Sequence, residues 1–222
     1  MIYRSGVFSK KAGSSLEDFH KHWLEIHGEI ASRLPGLQSY RQNHIQDRLF
    51  EEAPLRGHDI DGISQLRFDS IAAMEVAEQS SVYAEAKVDI PKFQGAITIL
   101  VLGEDDAAGE ARNGDAKLLV LSAGRVSMDV GAASPGHAKR YLGQPGTPGP
   151  VRVVLNRVID RAHPVSAGVP QGQIPIARMD EYWFTDQTSL KSWMETASAS
   201  KLFNDPELQP MAIYAVDEVH LV

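Results

Sequence analysis

The chain repeats itself at about half its length, and this feature constrains the fold more than any other. The segment Asn43–Arg48 is echoed by Asn156–Arg161 at an offset of 113 residues. The segment Leu66–Ser70 is echoed by Tyr182–Asp186 at an offset of 116 residues. A single short echo arises by chance, but two at nearly the same offset indicate an internal repeat. The 222-residue chain is therefore predicted to contain two copies of one unit.

Each unit reads as strand–helix–strand–strand–helix–strand. The apolar patterns of the first copy predict strands and helices at 2–8, 15–34, 37–44, 62–68, 70–78 and 96–102. This order is the ferredoxin-like split βαβ motif. The sequence therefore predicts an α+β fold class with two ferredoxin-like β-α-β-β-α-β halves.

The stretch Gly103–Ala116 has few large apolar residues and many glycine, alanine and acidic residues, which is typical of a linker. The predicted organisation is a first ferredoxin-like domain at 1–103, a linker at 104–116 and a divergent second half at 117–222.

The second half departs from the first at its first helix. A predicted strand at Leu118–Ser127 precedes a segment in which proline and glycine recur from Gly143 to Pro150. Because these residues stop a helix, at most two turns beginning near Pro135 are expected. The second helix remains, with Asp186 as its predicted N-cap. One functional site is therefore expected, in the first half.

The first helix is bounded by clear signals. Ser14 and Glu17 have the spacing of a capping box, and Pro35 with Gly36 ends the helix. At about 100° per residue, Phe19, Trp23, Ile30 and Leu34 form an apolar face. On this count His27 lies within that face, His20 at its edge and His22 well off it.

An inward histidine has two interpretations. A buried neutral imidazole often bonds only to a backbone carbonyl or hydroxyl and takes no part in chemistry. Alternatively, burial beside Trp23 tunes His27 for proton transfer near neutral pH. A metal site is not predicted, because His20 and His27 lie about 10 Å apart along the helix axis.

Two motifs resemble a known family. Phe19, His22, Trp23 and His27, followed by Leu34-Pro35-Gly36-Leu37, Tyr40 and Asn43, are similar to the EthD-like branch of the dimeric α/β-barrel superfamily. Asp89-Ile90-Pro91-Lys92-Phe93 resembles the Asp-x-x-x-Phe that precedes the last strand in that family. The resemblance covers about the first hundred residues. It implies that two sheets pair face to face as a barrel, here within one chain, and it leaves a further homodimer open.

The strand after the first helix offers two faces to His27. Tyr40, Gln42 and His44 share one face, and Ser39, Arg41 and Asn43 share the other. The alternation does not decide between the two faces. We favour the Tyr40 face because tyrosine and histidine both donate and accept protons. A polar network between sheets is the other interpretation of this face.

Composition excludes several classes of function. The net charge of −7 with scattered acidic residues argues against a nucleic-acid or membrane surface as partner. The absence of cysteine excludes disulfides, thiolate metal sites and cysteine nucleophiles. No predicted segment is a signal peptide or membrane span, so the cytoplasm is the default compartment. No phosphate-binding glycine loop, serine nucleophile elbow or metal-ligand set is present, so no cofactor is predicted.

Two hypotheses about function follow. The resemblance to isomerase and cyclase members implies a cofactor-independent enzyme that isomerises, dehydrates, cyclises or decarboxylates a small apolar organic molecule. His27, Tyr40 and His44 would be its catalytic residues, and Trp23, His20 and Asn43 would bind the substrate. The alternative is a non-catalytic ligand-binding or accessory protein of a degradative or biosynthetic pathway.

Overall fold

The chain alternates long strands with short helices. A computed structural model describes residues 1–52, 57–123, 136–144, 146–161, 163–204 and 209–222. The strands are β1 (Ile2–Lys10), β2 (Ser39–Glu51), β3 (Gly62–Phe68), β4 (Gln94–Gly109), β5 (Ala116–Ser122), β6 (Arg152–Asp160), β7 (Arg178–Phe184) and β8 (Pro210–His220). The helices are α1 (Leu16–His22), a π-helical turn (Trp23–His27), α2 (Gly28–Ala31), α3 (Ile71–Glu78), α4 (Ser81–Phe93), a 3-10 turn (Ala138–Tyr141), α5 (Gln187–Met194) and α6 (Ala197–Phe203).

All eight strands join in one closed antiparallel barrel. Their order around the barrel is β1-β3-β2-β8-β5-β7-β6-β4. Strands β1 to β4 are neighbours, as are β5 to β8, and the two groups meet where β2 pairs with β8 and β4 pairs with β6. Closure leaves no strand of the barrel with a free edge.

The predicted fold class, two ferredoxin-like halves, is wrong. One closed antiparallel barrel with few helices replaces that arrangement. The physical reason is strand length, because β2 and β4 each continue seven residues beyond their predicted ends at His44 and Leu102. The added residues pair with neighbouring strands of the second half, Ile45 with Val216 on β8 and Gly103 with Arg157 on β6.

The predicted linker is strand for part of its length. Residues 104–109 belong to β4, so that only 110–115 connect β4 to β5. Their side chains are small or acidic and mostly solvent-accessible, which removes the apolar pattern that identifies a strand. Strand β5 ends at Ser122, and the predicted strand end at Ser127 and helix start at Pro135 lie outside the described residues.

Alternate residues of each strand face the barrel interior. Val7, Ile63, Leu100, Leu119 and other side chains from opposite strands form an apolar core there. The alternation of β5 places Lys117 on the same interior face as Leu119.

Lys117 is fully buried and lies at the centre of a charged interior cluster. Its ammonium is 2.7 Å from the carboxylate of Glu181 and also contacts that of Glu218. Arg41 lies 3.4 Å from both carboxylates, and the amide oxygen of Asn43 accepts a hydrogen bond from Lys117 at 2.9 Å. One end of the barrel interior thus carries a cluster of charged side chains.

The two echoed segments make matching contacts. Asn43 donates its side-chain amide to the carbonyl of Ile63, and Asn156 donates in the same way to Met179, each at 3.0 Å. The offsets of the paired residues equal those read from the sequence. A buried Asn therefore ties β2 to β3 and β6 to β7 in the same manner.

Helices pack on the outside of the barrel. Ser70 caps α3 and Asp186 caps α5, the latter as predicted. The predicted capping box at Ser14 is displaced by one residue, because Ser15 is the N-cap and accepts from the backbone N–H of Asp18 at 3.0 Å. Among the residues described, no helix combines the length and apolar character needed to cross a lipid bilayer.

Candidate functional site

A π-helical turn at Trp23–His27 rotates the part of the first helix after the turn relative to the part before it. A regular helix advances about 100° per residue, whereas a π turn accommodates one additional residue. Beyond it, Gly28 and Ala31 are buried against the sheet, while Ile30 is partly exposed. His27 remains buried at 7% exposure, but it faces α4.

The carboxylate of Asp89 on α4 contacts two histidines of the first helix. His27 Nδ1 is 3.2 Å from Oδ2, and His22 Nε2 is 3.0 Å from Oδ1. Asp89 is only 2% exposed, and the ammonium of Lys92 lies 3.3 Å from its carboxylate. Burial alone would raise the pKa of Asp89, but the hydrogen bonds from His27 and His22 outweigh it and hold this pKa well below its usual range.

The ionised carboxylate determines where the ring protons lie. Since a carboxylate only accepts, the facing nitrogens, Nδ1 of His27 and Nε2 of His22, carry hydrogen and donate to Asp89. In the neutral rings, Nε2 of His27 and Nδ1 of His22 are then unprotonated. Within the described part of the chain neither of these two nitrogens has a hydrogen-bond partner. Each is therefore available to accept a proton from another molecule.

Aromatic rings surround the two histidines. Phe93 stacks on His22 at 5.0 Å between ring centroids, with the planes 19° apart, and also lies 5.0 Å from His27. The His22 side chain keeps 22% of its surface exposed and the His27 side chain 9%. The pair therefore has an apolar wall and a limited opening to solvent.

A second cluster forms where β2 meets the helix. Trp23 donates its indole N–H to the hydroxyl of Tyr40 at 3.1 Å, and Gln42 donates to the same hydroxyl at 3.0 Å. The Gln42 amide also donates to the carbonyl of Trp23, so its oxygen accepts from Nε2 of His44 at 2.9 Å. The imidazole of His44 lies 4.4 Å from that of His20.

Burial keeps this second cluster uncharged. It raises the pKa of Tyr40 to about 12. Burial, with a smaller contribution from the charge of His20, lowers the pKa of His44 to about 4. It also lowers the pKa of His20, which nearby Asp61 and Asp217 partly offset. At neutral pH the phenol and both imidazoles are therefore neutral.

The six predicted site residues fall into three places. Tyr40, His44, Trp23 and His20 form the second cluster, His27 contacts Asp89, and Asn43 lies in the barrel interior with Lys117. The Tyr40 face of β2 does meet the helix, but at Trp23 rather than at His27. In the described residues no hydrogen bond joins His27 to Tyr40, His44 or Asn43.

We call Asp89 with His22 and His27 the Asp89 cluster. Sequence reasoning missed two residues of this cluster. His22 was set aside because it lies off the apolar face, where the structure also places it partly exposed, and Asp89 was quoted only within a motif. The signal that could have found them is that same Asp-x-x-x-Phe motif, which brings Asp89 and Phe93 to one end of α4. In the described part of the chain, no three His, Asp or Glu side chains are arranged to hold a metal ion.

Two adjoining cavities open at the end of the barrel where β2 and β5 finish. Their volumes are about 590 and 410 Å³, and both are lined by Ala123 and Pro175. His27 lines neither of these two cavities. The Asp89 cluster, between the first helix and α4, is therefore separate from these two cavities.

Comparison with known proteins identifies the domain that carries both clusters. Residues 11–95 match the EthD domain family, so the chain contains an EthD domain, and the resemblance noted above is confirmed over this range. His22, His27, Tyr40, His44 and Asp89 all lie inside it. No curated protein matches the chain.

Solved structures share the fold of the whole chain at 10% sequence identity. An anthrone oxidase-like protein has a TM-score of 0.57, with 99% of this chain and 93% of that chain covered. A "putative monooxygenase" from Lactobacillus acidophilus has a TM-score of 0.55, with 100% and 94% covered. A protein of the same description from Fusobacterium nucleatum also has 0.55, with 100% and 92% covered. At this identity the similarity concerns the fold alone.

Proposed function

We propose that this EthD-domain protein transfers a proton to or from a small, largely apolar organic compound, with His27 as the general base and Asp89 as its orienting carboxylate. The reaction classes that fit are isomerisation, dehydration, ring closure and decarboxylation. The observation that supports the proposal is the buried Asp89 carboxylate hydrogen-bonded to two histidines.

The geometry divides the chemical work among three side chains. Asp89 keeps the Nε2 lone pair of His27 free to accept a proton, and it stabilises the imidazolium that forms. The imidazolium of His27 can then return this proton to another atom of the substrate, while His22 shares the same carboxylate at a more exposed position. The buried ring of Phe93 packs against both histidines, and Phe19 lies 6.0 Å from it, so the surroundings of the pair are apolar.

We assign Tyr40 and His44 a positioning role. The Tyr40 oxygen already accepts two hydrogen bonds, and His44 bonds to Gln42 through Nε2 and stacks on Trp23. These contacts hold the start of the π turn against β2, and the π turn directs His27 towards α4. The sequence predicted that these two residues react with the substrate, and we propose instead that they support the reacting group.

Anthrone is a suitable first probe, since one protein of similar fold is described as anthrone oxidase-like. Its methylene group loses a proton to give a stabilised anion. In D₂O, exchange of these protons for deuterium reports proton transfer directly by NMR. We expect the protein to accelerate this exchange and His27→Gln to lower the acceleration by about 10²- to 10⁴-fold.

His137→Gln is the matched control, because His137 lies in the second half and contacts Tyr141 rather than Asp89. It should leave the exchange rate unchanged. An undiminished rate in His27→Gln would contradict the proposal. A second enolisable ketone, 2-tetralone, extends the test to a substrate without the tricyclic frame.

A non-catalytic binding role is the second candidate. It is favoured by the separation between His27 and the two cavities at the barrel mouth. In that case a compound would bind with high affinity, no probe would be turned over, and His27→Gln would leave its affinity unchanged.

A further inference from the structure

Arg161, at the end of β6, lines the larger cavity at the barrel mouth. One guanidinium nitrogen lies 3.5 Å from the carbonyl oxygen of Ile174, and another contacts that of Ile176. These two carbonyls hold the side chain in place, but neither carries a full negative charge. Among the residues described, no carboxylate pairs with Arg161. Burial away from water lowers the pKa of its guanidinium, the direction expected for a cation without a counter-ion.

The equivalent arginine of the first half is neutralised. Arg48 contacts the carbonyl of Ile60 at 2.6 Å, as Arg161 contacts that of Ile176. Arg48 also pairs with Glu51 at 2.5 Å and with Asp61 at 2.9 Å. Two arginines at matching positions therefore share a main-chain contact and differ in their counter-ions.

The cavity around Arg161 combines hydrogen-bond donors with apolar walls. The side chains of Gln171 and Gln173 line it and form no hydrogen bond within the described residues. Ile99 and Ile174 are buried and supply apolar surface. Arg161 is the only charged residue among those described as lining this cavity. Glu52 lines the adjoining smaller cavity, and within the described part of the chain it forms no ion pair with Arg161.

We infer that this cavity binds a small organic acid, with its anionic group on Arg161 and its apolar body against Ile99 and Ile174. An arginine fork matches a carboxylate in two parallel hydrogen bonds, and the glutamine amides supply further donors. The volume of about 590 Å³ suits a molecule of two fused rings. This site is distinct from the Asp89 cluster and does not depend on proton transfer at His27.

The test compares 2-naphthoate with 2-naphthamide, a neutral compound of nearly the same shape. Binding to the full-length protein is measured by isothermal titration calorimetry at low ionic strength. We expect naphthoate to bind at least tenfold more tightly than naphthamide, as a charge-assisted hydrogen bond predicts. Arg161→Gln should reduce naphthoate affinity to that of naphthamide, while Arg161→Lys should retain part of the difference.

Arg112→Gln is the matched control, because it removes the same charge from an exposed position away from the cavity. It should leave naphthoate affinity unchanged. His27→Gln should also leave it unchanged, which separates failure of this inference from failure of the proposed proton transfer.

Three results would overturn the inference. They are equal affinity of the wild type for naphthoate and naphthamide, unchanged affinity in a folded Arg161→Gln variant, and no naphthoate binding at millimolar concentration. If Arg161→Gln does not fold, the comparison of the two compounds on the wild type still tests the inference. The double variant Gln171→Ala with Gln173→Ala then supplies the mutational arm, with a severalfold loss of naphthoate affinity expected and unchanged affinity counting against the site.

Discussion

The imidazole of His44 stacks on the indole of Trp23, with ring centroids 4.7 Å apart and planes 14° apart. His44 is 6% exposed, and its Nε2 bonds to the side-chain oxygen of Gln42. This places a neutral histidine between the barrel wall and the first helix. Protonation would put an uncompensated charge at that position.

The protein should therefore lose stability in mild acid. In the unfolded chain His44 takes up a proton near pH 6.5, but in the folded chain only near pH 4, so the unfolded state binds more protons between these values. The free energy of unfolding should fall as the pH is lowered through this window, by up to about 3 kcal/mol from His44. Urea denaturation at several pH values measures it. His44→Phe should remove this part of the dependence, and identical slopes in both proteins would show that His44 is not its source.

Replacing Asp89 by asparagine should disturb the histidine tautomers while preserving shape. The wild type should show His27 protonated at Nδ1 in ¹⁵N-detected histidine spectra, because the carboxylate only accepts. In Asp89→Asn the amide can present its NH₂ group to one ring, so that ring should carry its proton on the opposite nitrogen. Proton-exchange activity should fall at least tenfold. Unaltered His27 and His22 spectra in Asp89→Asn would contradict this arrangement.

Gly62 permits the close packing of Trp23 on the start of β3. A Cβ atom at this position would lie 2.7 Å from the indole of Trp23. Gly62→Ala should therefore lower the free energy of unfolding by about 1–3 kcal/mol through overpacking. Combining it with Trp23→Phe removes the clashing ring, and a double-mutant cycle should show a coupling of at least 0.5 kcal/mol. Strict additivity would mean that the indole is not the obstacle.

Lys117 is expected to be the most sensitive charged residue of the barrel interior. Lys117→Met leaves Glu181 and Glu218 facing each other with Arg41 as their remaining cation. Removing one partner of a buried ion pair typically costs about 3–5 kcal/mol, and thermal or urea unfolding measures this loss. Lys201→Met, on the exposed side of α6, should change stability by less than about 0.5 kcal/mol. A loss below 1 kcal/mol in Lys117→Met would show that the cluster relaxes.

Local signals in the sequence predicted individual elements well. Strand β3 has the predicted bounds, Gly62–Phe68, and Asp186 caps α5. The family resemblance implied that two sheets pair as a barrel, but closure of all strands into one barrel could not be read from the apolar pattern, since the extensions of β2 and β4 carry mostly polar or small side chains. Which strand pairs with which depends on contacts far apart in the chain, and apolar periodicity does not report them.

The Asp89 cluster was hidden for two local reasons. Helix α4 was not predicted at all, because Pro91 in its last turn is typical of a helix end and no strong apolar stripe marks the preceding residues. The π turn then moved His27 away from the direction that a regular helix assigns it, whereas His22 lies in the regular helix before the turn. An inward His27 was correctly expected, but its partner could only come from the structure.

The π turn also affects how this chain should be aligned with its relatives. An additional residue between Trp23 and His27 means that a relative with a regular helix is one position shorter here, although its side chains occupy the same places in space. An ungapped alignment of two such sequences would match Trp23 correctly and then pair His27 with the wrong residue. Searches for relatives that share the histidine–aspartate arrangement should therefore allow a one-residue gap within the first helix.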